Sequence, residues 1–419
     1  MNKKISILLL LVLILFNMVG CIKKQVEGEI QLQIPNEEKQ ESDMVEPNVE
    51  ERYKDNIKEK VDEMTLDEKI GQMVLVGFEG YTVNDATRRL IEDYHVGGFI
   101  LFERNIRDVE QLVDLLNELK NINTVNKMPL FISTDEEGGR VSRMPKEFKK
   151  LPPNKTIGDI NNGDFSFEIG SIIGEELKGL GLNMDFAPVL DINSNPNNPV
   201  IGSRSFGDNI EIVTKLGIRT MEGIASEGII PVIKHFPGHG DTSVDSHLDL
   251  PCINNDLERL QDLEFVPFKE AIDNGADVVM VAHILFSQLD GENPASLSKT
   301  IITDILRDHM EFDGVVITDD MTMGAIVDNY GMGEAAVKSI VAGTDIVLIC
   351  HQYENQISAI NAIKTAVKDG TISEERIDES VYRILSLKDQ YKLDDGPVQS
   401  IDVKKINERI DNTLNKYIK

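Results

Sequence analysis

A chain of 419 residues, 41% hydrophobic and 27% charged, can bury a sizeable core and has a globular composition, arranged as one large domain or two smaller ones. Its 72 acidic residues against 43 basic ones leave a formal net charge of −29, which argues against a nucleic-acid ligand, because phosphate backbones are bound by clustered Lys and Arg. Such acidity otherwise reads as a solvated surface.

Residues 1–20 read as an export signal. Lys3 and Lys4 precede the apolar run Ile7 to Phe16, and Met18-Val-Gly-Cys21 closes it. The run is too short for a comfortable membrane span. Cys21 directly after Gly20 resembles a bacterial lipobox, with Met18 where such boxes usually carry Leu. That resemblance implies cleavage before Cys21, lipid on its sulfur, and an extracytoplasmic protein anchored to the bacterial cell membrane; two or more acyl chains make such an anchor stable. Residues 21–55 follow as a disordered acidic tether: from 22 onward they hold ten acidic and five basic residues among Gln, Asn and Pro. Such a stretch cannot bury enough apolar surface to offset chain entropy.

From about residue 56, short apolar runs alternate with amphipathic segments. Eight runs read as strands: Ile70 to Val76, Val96 to Leu101, Pro129 to Ser133, Met184 to Leu190, Ile229 to Ile233, Val278 to Ala282, Val315 to Thr318 and Ile346 to Ile349. Helical patterns lie between them, at Val109 to Lys120, Phe167 to Leu180, Ile210 to Ser226, Leu257 to Asn274, Ile301 to Met310 and Glu334 to Val341. Alternating strand and helix implies an α/β fold of parallel strands with right-handed crossovers. Eight units over 56–395 suit a (β/α)8 TIM-type barrel as a single catalytic domain, with an open doubly wound sheet as the alternative. A last helix, about Glu374 to Gln390, leads into a polar tail, 396–419. Cys252 and Cys350, near strand ends, read as small buried hydrophobes rather than a disulfide framework.

The chemistry concentrates at strand ends. The run to Ile233 is followed by Lys234-His-Phe-Pro-Gly-His-Gly-Asp-Thr-Ser-Val-Asp-Ser-His247, which holds three of the seven histidines and which Pro237, Gly238 and Gly240 make a loop. In a barrel the residues after each strand converge on one rim. They include Asp135, Arg140, Arg143, Asp185, Asp191, Arg204, Lys234, His235, His239, Asp245, His247, His283, Asp319 and Asp320. A core could not tolerate so much charge unpaired, so the cluster reads as a functional site. Simpler readings exist for single members: His235 as a histidine that orients a neighbour, Asp135 as a helix cap. Glu136-Glu137-Gly-Gly139 is rejected as a phosphate loop, because two carboxylates would repel the ligand. The histidine and Asp245 spacing is no standard zinc pattern, so no metal or other cofactor is expected. Alternation cannot choose between Asp319 and Asp320, since adjacent strand residues face opposite ways.

The loop motif resembles the signature of the β-N-acetylglucosaminidase branch of glycoside hydrolase family 3. Asp135-Glu-Glu-Gly-Gly-Arg-Val-Ser-Arg143, Asn183-Met-Asp-Phe-Ala-Pro-Val-Leu-Asp191, Ile201-Gly-Ser-Arg-Ser-Phe206 and Val316-Ile-Thr-Asp-Asp-Met321 are similar to further motifs of the branch, in its order, over roughly residues 60–390. The resemblance implies a (β/α)8 catalytic domain, here without the family's second domain. It implies Asp319 as nucleophile, His247 as general acid/base, Asp245 as the carboxylate paired with it, and Asp135, Arg143, Arg204, Lys234 and His235 as groups that hold the first sugar. The implied activity is retaining hydrolysis of terminal β-linked N-acetylglucosamine, with muropeptide fragments of the cell wall as substrate, by a protein expected to be monomeric. Retaining chemistry needs a nucleophile on one face of the anomeric carbon and a proton donor near the leaving oxygen. The donor's Gly- and Ser-containing loop is expected to move during turnover. Rival readings are a phosphorylase of the same family, a metal-dependent hydrolase, and a surface sugar-binding lipoprotein without turnover.

Overall fold

Val- and Ile-rich runs bounded by turn residues make eight parallel strands, and every residue within them is buried, as expected for a parallel sheet covered on both faces. In chain order they are β1 (Val74–Val76), β2 (Gly98–Leu101), β3 (Phe131–Thr134), β4 (Met184–Asp185), β5 (Ile230–Phe236), β7 (Val278–Val281), β9 (Val315–Thr318) and β10 (Val347–Ile349), while β6 (Cys252–Ile253) and β8 (Leu285–Phe286) form a separate pair. The sheet order is β10-β1-β2-β3-β4-β5-β7-β9. A parallel bridge between Ile317 and Ile346 joins its two ends, with Ile346 N donating to Val316 O at 3.0 Å. The ring is therefore a (β/α)8 barrel and not an open doubly wound sheet. The computed structural model describes residues 49–399 and 401–418. The export signal, Cys21 and the tether up to residue 48 lie outside the described residues.

Four differences from the expected elements have physical causes. The segment 257–274 is two helices, Leu257–Asp262 and Phe265–Asp273; Pro267 has no N–H to give and its ring clashes with the carbonyl four residues back, at Leu263, where the helix breaks. The start of the first run, Ile70, belongs to helix Leu66–Gln72, which Thr65 and Glu68 open as a reciprocal capping box. The tether's expected limit at residue 55 falls inside helix Val49–Asp62. The polar tail carries a helix, Val403–Tyr417, that buries Ile406 and Ile410 and packs against helix Gly163–Leu180, with Arg409 pairing Glu175 at 2.5 Å. Its apolar residues lie four apart among charged ones, a narrow stripe that docking completes.

The barrel's lower end is tied by buried polar side chains. Lys388 of helix Glu374–Gln390 donates to Gln72 Oε1 (2.7 Å), Gly97 O (3.1 Å) and Pro129 O (2.6 Å), all preceding strands β1 to β3. Asp345, just before β10, is met by Arg307 at 2.5 Å and Arg383 at 3.2 Å. Such groups at the strands' N-terminal ends hold the fold, leaving the opposite rim for chemistry.

Candidate active site

The loop after β3 carries the first charged groups. Gly138 and Gly139 adopt φ of +76° and +61°, and a Cβ on either would lie 2.7 Å from Pro152 O or 2.6 Å from Pro153 Cβ, so the pair is a sharp turn that only glycine fits. This turn tucks Glu136 and Glu137 inward, where both are buried. Glu137 accepts from Arg204 Nε (2.9 Å) and Nη2 (2.8 Å) and pairs with Lys234 Nζ at 2.8 Å; Lys234 also donates to Asp135 at 2.6 Å. Burial would raise the Glu137 carboxyl, but the two cations outweigh it and hold it far below its ordinary value. Lys234, only 1% exposed, stays charged for the converse reason: burial lowers it, and Asp135 and Glu137 together raise it further.

Strand β5 extends three residues past its expected end, so Lys234 and His235 are strand residues, beside a shift in the register with β7 between Ile233 and Phe236. His235 Nδ1 lies 2.7 Å from Asp191 Oδ2 and its Nε2 lies 3.3 Å from Arg204 Nη2. Asp191 also accepts from His239 N at 2.6 Å, tying the end of β5 to the loop that leaves it. His239 faces Thr242 Oγ1 (2.9 Å) and Ser246 Oγ (3.0 Å), and burial holds it down at about 4. Asn198 clamps the same loop by donating to His239 O (2.8 Å) and Gly240 O (3.1 Å). Beyond this anchored half the loop turns outward. His247, its side chain 63% exposed, has Nδ1 2.8 Å from Asp245 Oδ1, which also accepts from His247 N at 2.9 Å.

At the end of β9 the two adjacent carboxylates differ in what they hold. Asp320 accepts from Thr322 N (2.9 Å), Thr322 Oγ1 (2.7 Å) and Cys350 N (3.0 Å), so its carboxylate caps the turn that leaves β9 and ties it to the end of β10. Among the described residues Asp319 accepts only from Asp320 N, at 2.8 Å, which leaves an oxygen available. Its recess in the protein would raise the carboxyl, but the imidazoles of His235 and His283, the Asp320 N–H and His247 outweigh that and hold it down at about 2. Geometry thus separates two residues that strand alternation could not.

Seven of the eight expected site residues line one cavity of about 310 Å3: Asp135, Arg143, Arg204, Lys234, His235, His247 and Asp319. The eighth, Asp245, reaches it through His247. Phe186, Val200, Met280 and Leu348 supply apolar wall, a mix suited to one small polar molecule held by a few convergent groups. Arg143 Nε is buried without a hydrogen-bond partner among the described residues, a donor still unmet inside the site. An ionised carboxylate and an imidazole facing one compartment can act as nucleophile and as proton donor and acceptor. Among the described residues no group of three or more His, Cys, Asp or Glu is arranged to hold a metal ion.

Several groups at the site were not singled out from sequence. Glu137, dismissed with its glycines as an unlikely phosphate loop, is the counter-charge that two buried cations require. The only signal was that Arg204 and Lys234 on one rim needed more than Asp135 to balance them. The roles of Asn198, Thr242 and Ser246 in holding the loop had no signal. Cys252 is exposed, contrary to expectation, because β6 lies outside the barrel; Cys350 is buried, and both thiols are free.

Residues 65–387 match the Glycosyl hydrolase family 3 N terminal domain. The chain is 34% identical over 365 residues to Beta-hexosaminidase A of Pseudoalteromonas piscicida, covering 78% of this chain and 61% of that protein's length. It is 37% identical over 286 residues to a Beta-hexosaminidase of Neisseria meningitidis, covering 67% of this chain and 78% of the relative. A solved family 3 beta-N-acetylglucosaminidase from Paenibacillus sp. str. FPU-7 superposes with a TM-score of 0.80 at 43% identity, covering 84% of this chain and 69% of that one.

Proposed function

Because this chain belongs to glycosyl hydrolase family 3, we propose that it is a β-hexosaminidase, a retaining enzyme that removes terminal β-linked N-acetylglucosamine from the non-reducing end of its substrate. The observation that carries the reading is that Asp319 and His247, far apart in sequence, line one cavity with five groups able to hold a sugar. Asp319, ionised at neutral pH, attacks the anomeric carbon as the bond to the leaving oxygen breaks, forming a glycosyl-aspartate. His247 gives its proton to that oxygen, then takes one from the water that releases the sugar and frees Asp319. With Nδ1 against Asp245, it is Nε2 that can reach the substrate, and the carboxylate stabilises the imidazolium that forms between turnovers. Asp135, Lys234, Arg204, His235 and Arg143 hold sugar hydroxyls and the N-acetyl group, contacts whose value depends on close placement. Because His247 stands on the outer, less anchored half of its loop, that loop moves to bring the donor onto the glycosidic oxygen.

Peptidoglycan fragments are the proposed substrate, met at the cell surface by a lipoprotein anchored through Cys21. Cys21→Ser should move the protein from the membrane fraction to the soluble one, and unchanged partitioning would remove the anchor from this account. The activity is tested by a time course on 4-nitrophenyl N-acetyl-β-glucosaminide beside the glucoside, with and without phosphate, following the released anomer by NMR. Initial release of β-N-acetylglucosamine in either buffer supports the reading. The α anomer first, no release, or sugar 1-phosphate formed from added phosphate would each overturn it, the last in favour of a phosphorylase.

A further inference from the structure

The outer half of the loop that leaves β5 is folded on itself. Leu248 N and Asp249 N donate to Asp245 O at 2.9 and 3.1 Å, and the Asp245 carboxylate accepts from His247 N at 2.9 Å. Residues 245–249 are therefore one turn that carries both members of the proposed acid/base pair. Val244 and Leu248 at its edges are exposed. Among the described residues, hydrogen bonds tie this turn to its surroundings through Ser246 and His247 alone. Ser246 Oγ meets His239 Nε2 at 3.0 Å, within the same loop. The backbone carbonyls of Ser246 and His247 cross to another part of the rim, where they accept from Ala325 N (3.2 Å) and Gly324 N (3.3 Å), the opening amides of the short helix Gly324–Val327.

Three features make this contact a seat for the donor. The amides that open a helix have no partner within it, and Met323, the residue in the capping position, supplies no side-chain hydrogen bond, so the loop's carbonyls take that place. The approach also depends on glycine: a Cβ at 324 would lie 2.8 Å from His247 O and 3.1 Å from Leu248 C. Finally, the seat is joined to the nucleophile by a clamped turn. Asp320, beside Asp319, accepts through its carboxylate from Thr322 N (2.9 Å) and Cys350 N (3.0 Å), and through its carbonyl from Met323 N and His283 Nε2, both at 3.0 Å. The turn from Asp319 to Gly324 is thus held from β7, through His283, and from the end of β10, through Cys350. In this docked position His247 lines the same cavity as Asp319. The two bonds to the seat are at the long end of the N–H···O range, which lets the loop leave and return. We infer that Gly324 is a positioning residue: by seating the backbone of His247 on the turn that carries Asp319, it sets the proton donor in register with the nucleophile. The inference rests on the glycosidase reading above.

Gly324→Ala and Gly324→Pro both suit the first residue of a helix. Alanine favours the helix more than glycine does, and proline fits a position whose N–H has no intrahelical partner and which follows an extended residue, here Met323. Both variants should fold, with urea midpoints near that of wild type. Alanine makes His247 O draw back by several tenths of an ångström, and proline also deletes the amide that holds it. On N,N′-diacetylchitobiose, whose leaving sugar must be protonated, kcat/KM should fall roughly 10- to 100-fold, the upper figure being the cost of misplacing a reacting group by about 1 Å. On 4-nitrophenyl N-acetyl-β-glucosaminide, whose leaving group needs little protonation, it should stay within about threefold, and calorimetric binding of N-acetylglucosamine should be unchanged. Proline should cost at least as much as alanine. Equal losses on the two substrates, no loss on either, or a gain in rate, which would make the docked position a resting one, would each overturn the inference. If wild-type protein cleaves neither substrate, the glycosidase reading itself has failed, an outcome distinct from the others.

Discussion

Glu137→Gln isolates the buried lattice that holds Arg204 and Lys234. The glutamine keeps the shape and one acceptor oxygen but removes the carboxylate that pairs directly with both cations, leaving, among the described residues, Lys234 with Asp135 alone at 2.6 Å and Arg204 with no carboxylate at hydrogen-bond distance. Removing one partner of a buried pair costs about 3–5 kcal/mol, and the retained amide oxygen places this change near the lower end, ~3 kcal/mol. That is roughly a hundredfold fall in the ratio of folded to unfolded protein, readable by urea denaturation. As Arg204 and Lys234 shift from their set positions, kcat/KM on the nitrophenyl substrate should fall about 10²-fold. The pH dependence follows from the carboxyl being held below its ordinary value of 4.5. Its stabilising charge is complete above that value and fades as pH falls beneath it, so the gap between wild type and variant should be flat from pH 7 to about 5 and narrow in stronger acid. A loss under about 1 kcal/mol together with unchanged kcat/KM would refute the lattice as the element that places these two cations.

Asp319→Asn should lower kcat by at least about 10³-fold while N-acetylglucosamine still binds by calorimetry; a variant near the wild-type rate would reject Asp319 as nucleophile. Since the Asp319 carboxyl is held down at about 2 from an ordinary 3.8, its charge stabilises the fold fully above 3.8 and this is lost toward 2, so wild type should lose stability relative to Asp319→Asn across that window, followed by circular dichroism. His247→Ala should lose far more activity on alkyl than on nitrophenyl leaving groups, and equal losses would count against proton donation. Maleimide labelling read peptide by peptide should modify exposed Cys252 quickly and spare Cys350, whose thiol burial pushes up, until denaturant is added.

Much of this molecule could be read before its structure. Strands such as Val315–Thr318 and Ile230–Phe236 announce themselves because parallel barrel strands are buried on both faces and so are runs of Val and Ile. The candidate site was likewise visible as charged residues following those runs, which a barrel gathers on one rim. Helix 353–368 follows the last strand with apolar residues at helical spacing, and Pro267 marks the break at Leu263. The helix over Val403–Tyr417 was harder, because the two isoleucines it buries need the surface of another helix before they look apolar in context.

Local pattern therefore determined the strands, the turns and the identity of most groups at the rim, because periodicity and turn chemistry depend on near neighbours in the chain. Tertiary structure alone decided which charges meet. Lys234 finds Asp135 across 99 positions and Arg204 finds Glu137 across 67, distances at which no spacing rule operates. The distinction between Asp319 and Asp320 came the same way: Asp320 is occupied by Cys350 N, thirty residues on, and its neighbour is left with an oxygen to spare. A carboxylate's task follows from the donors that surround it, and those arrive only when distant strands close into one ring.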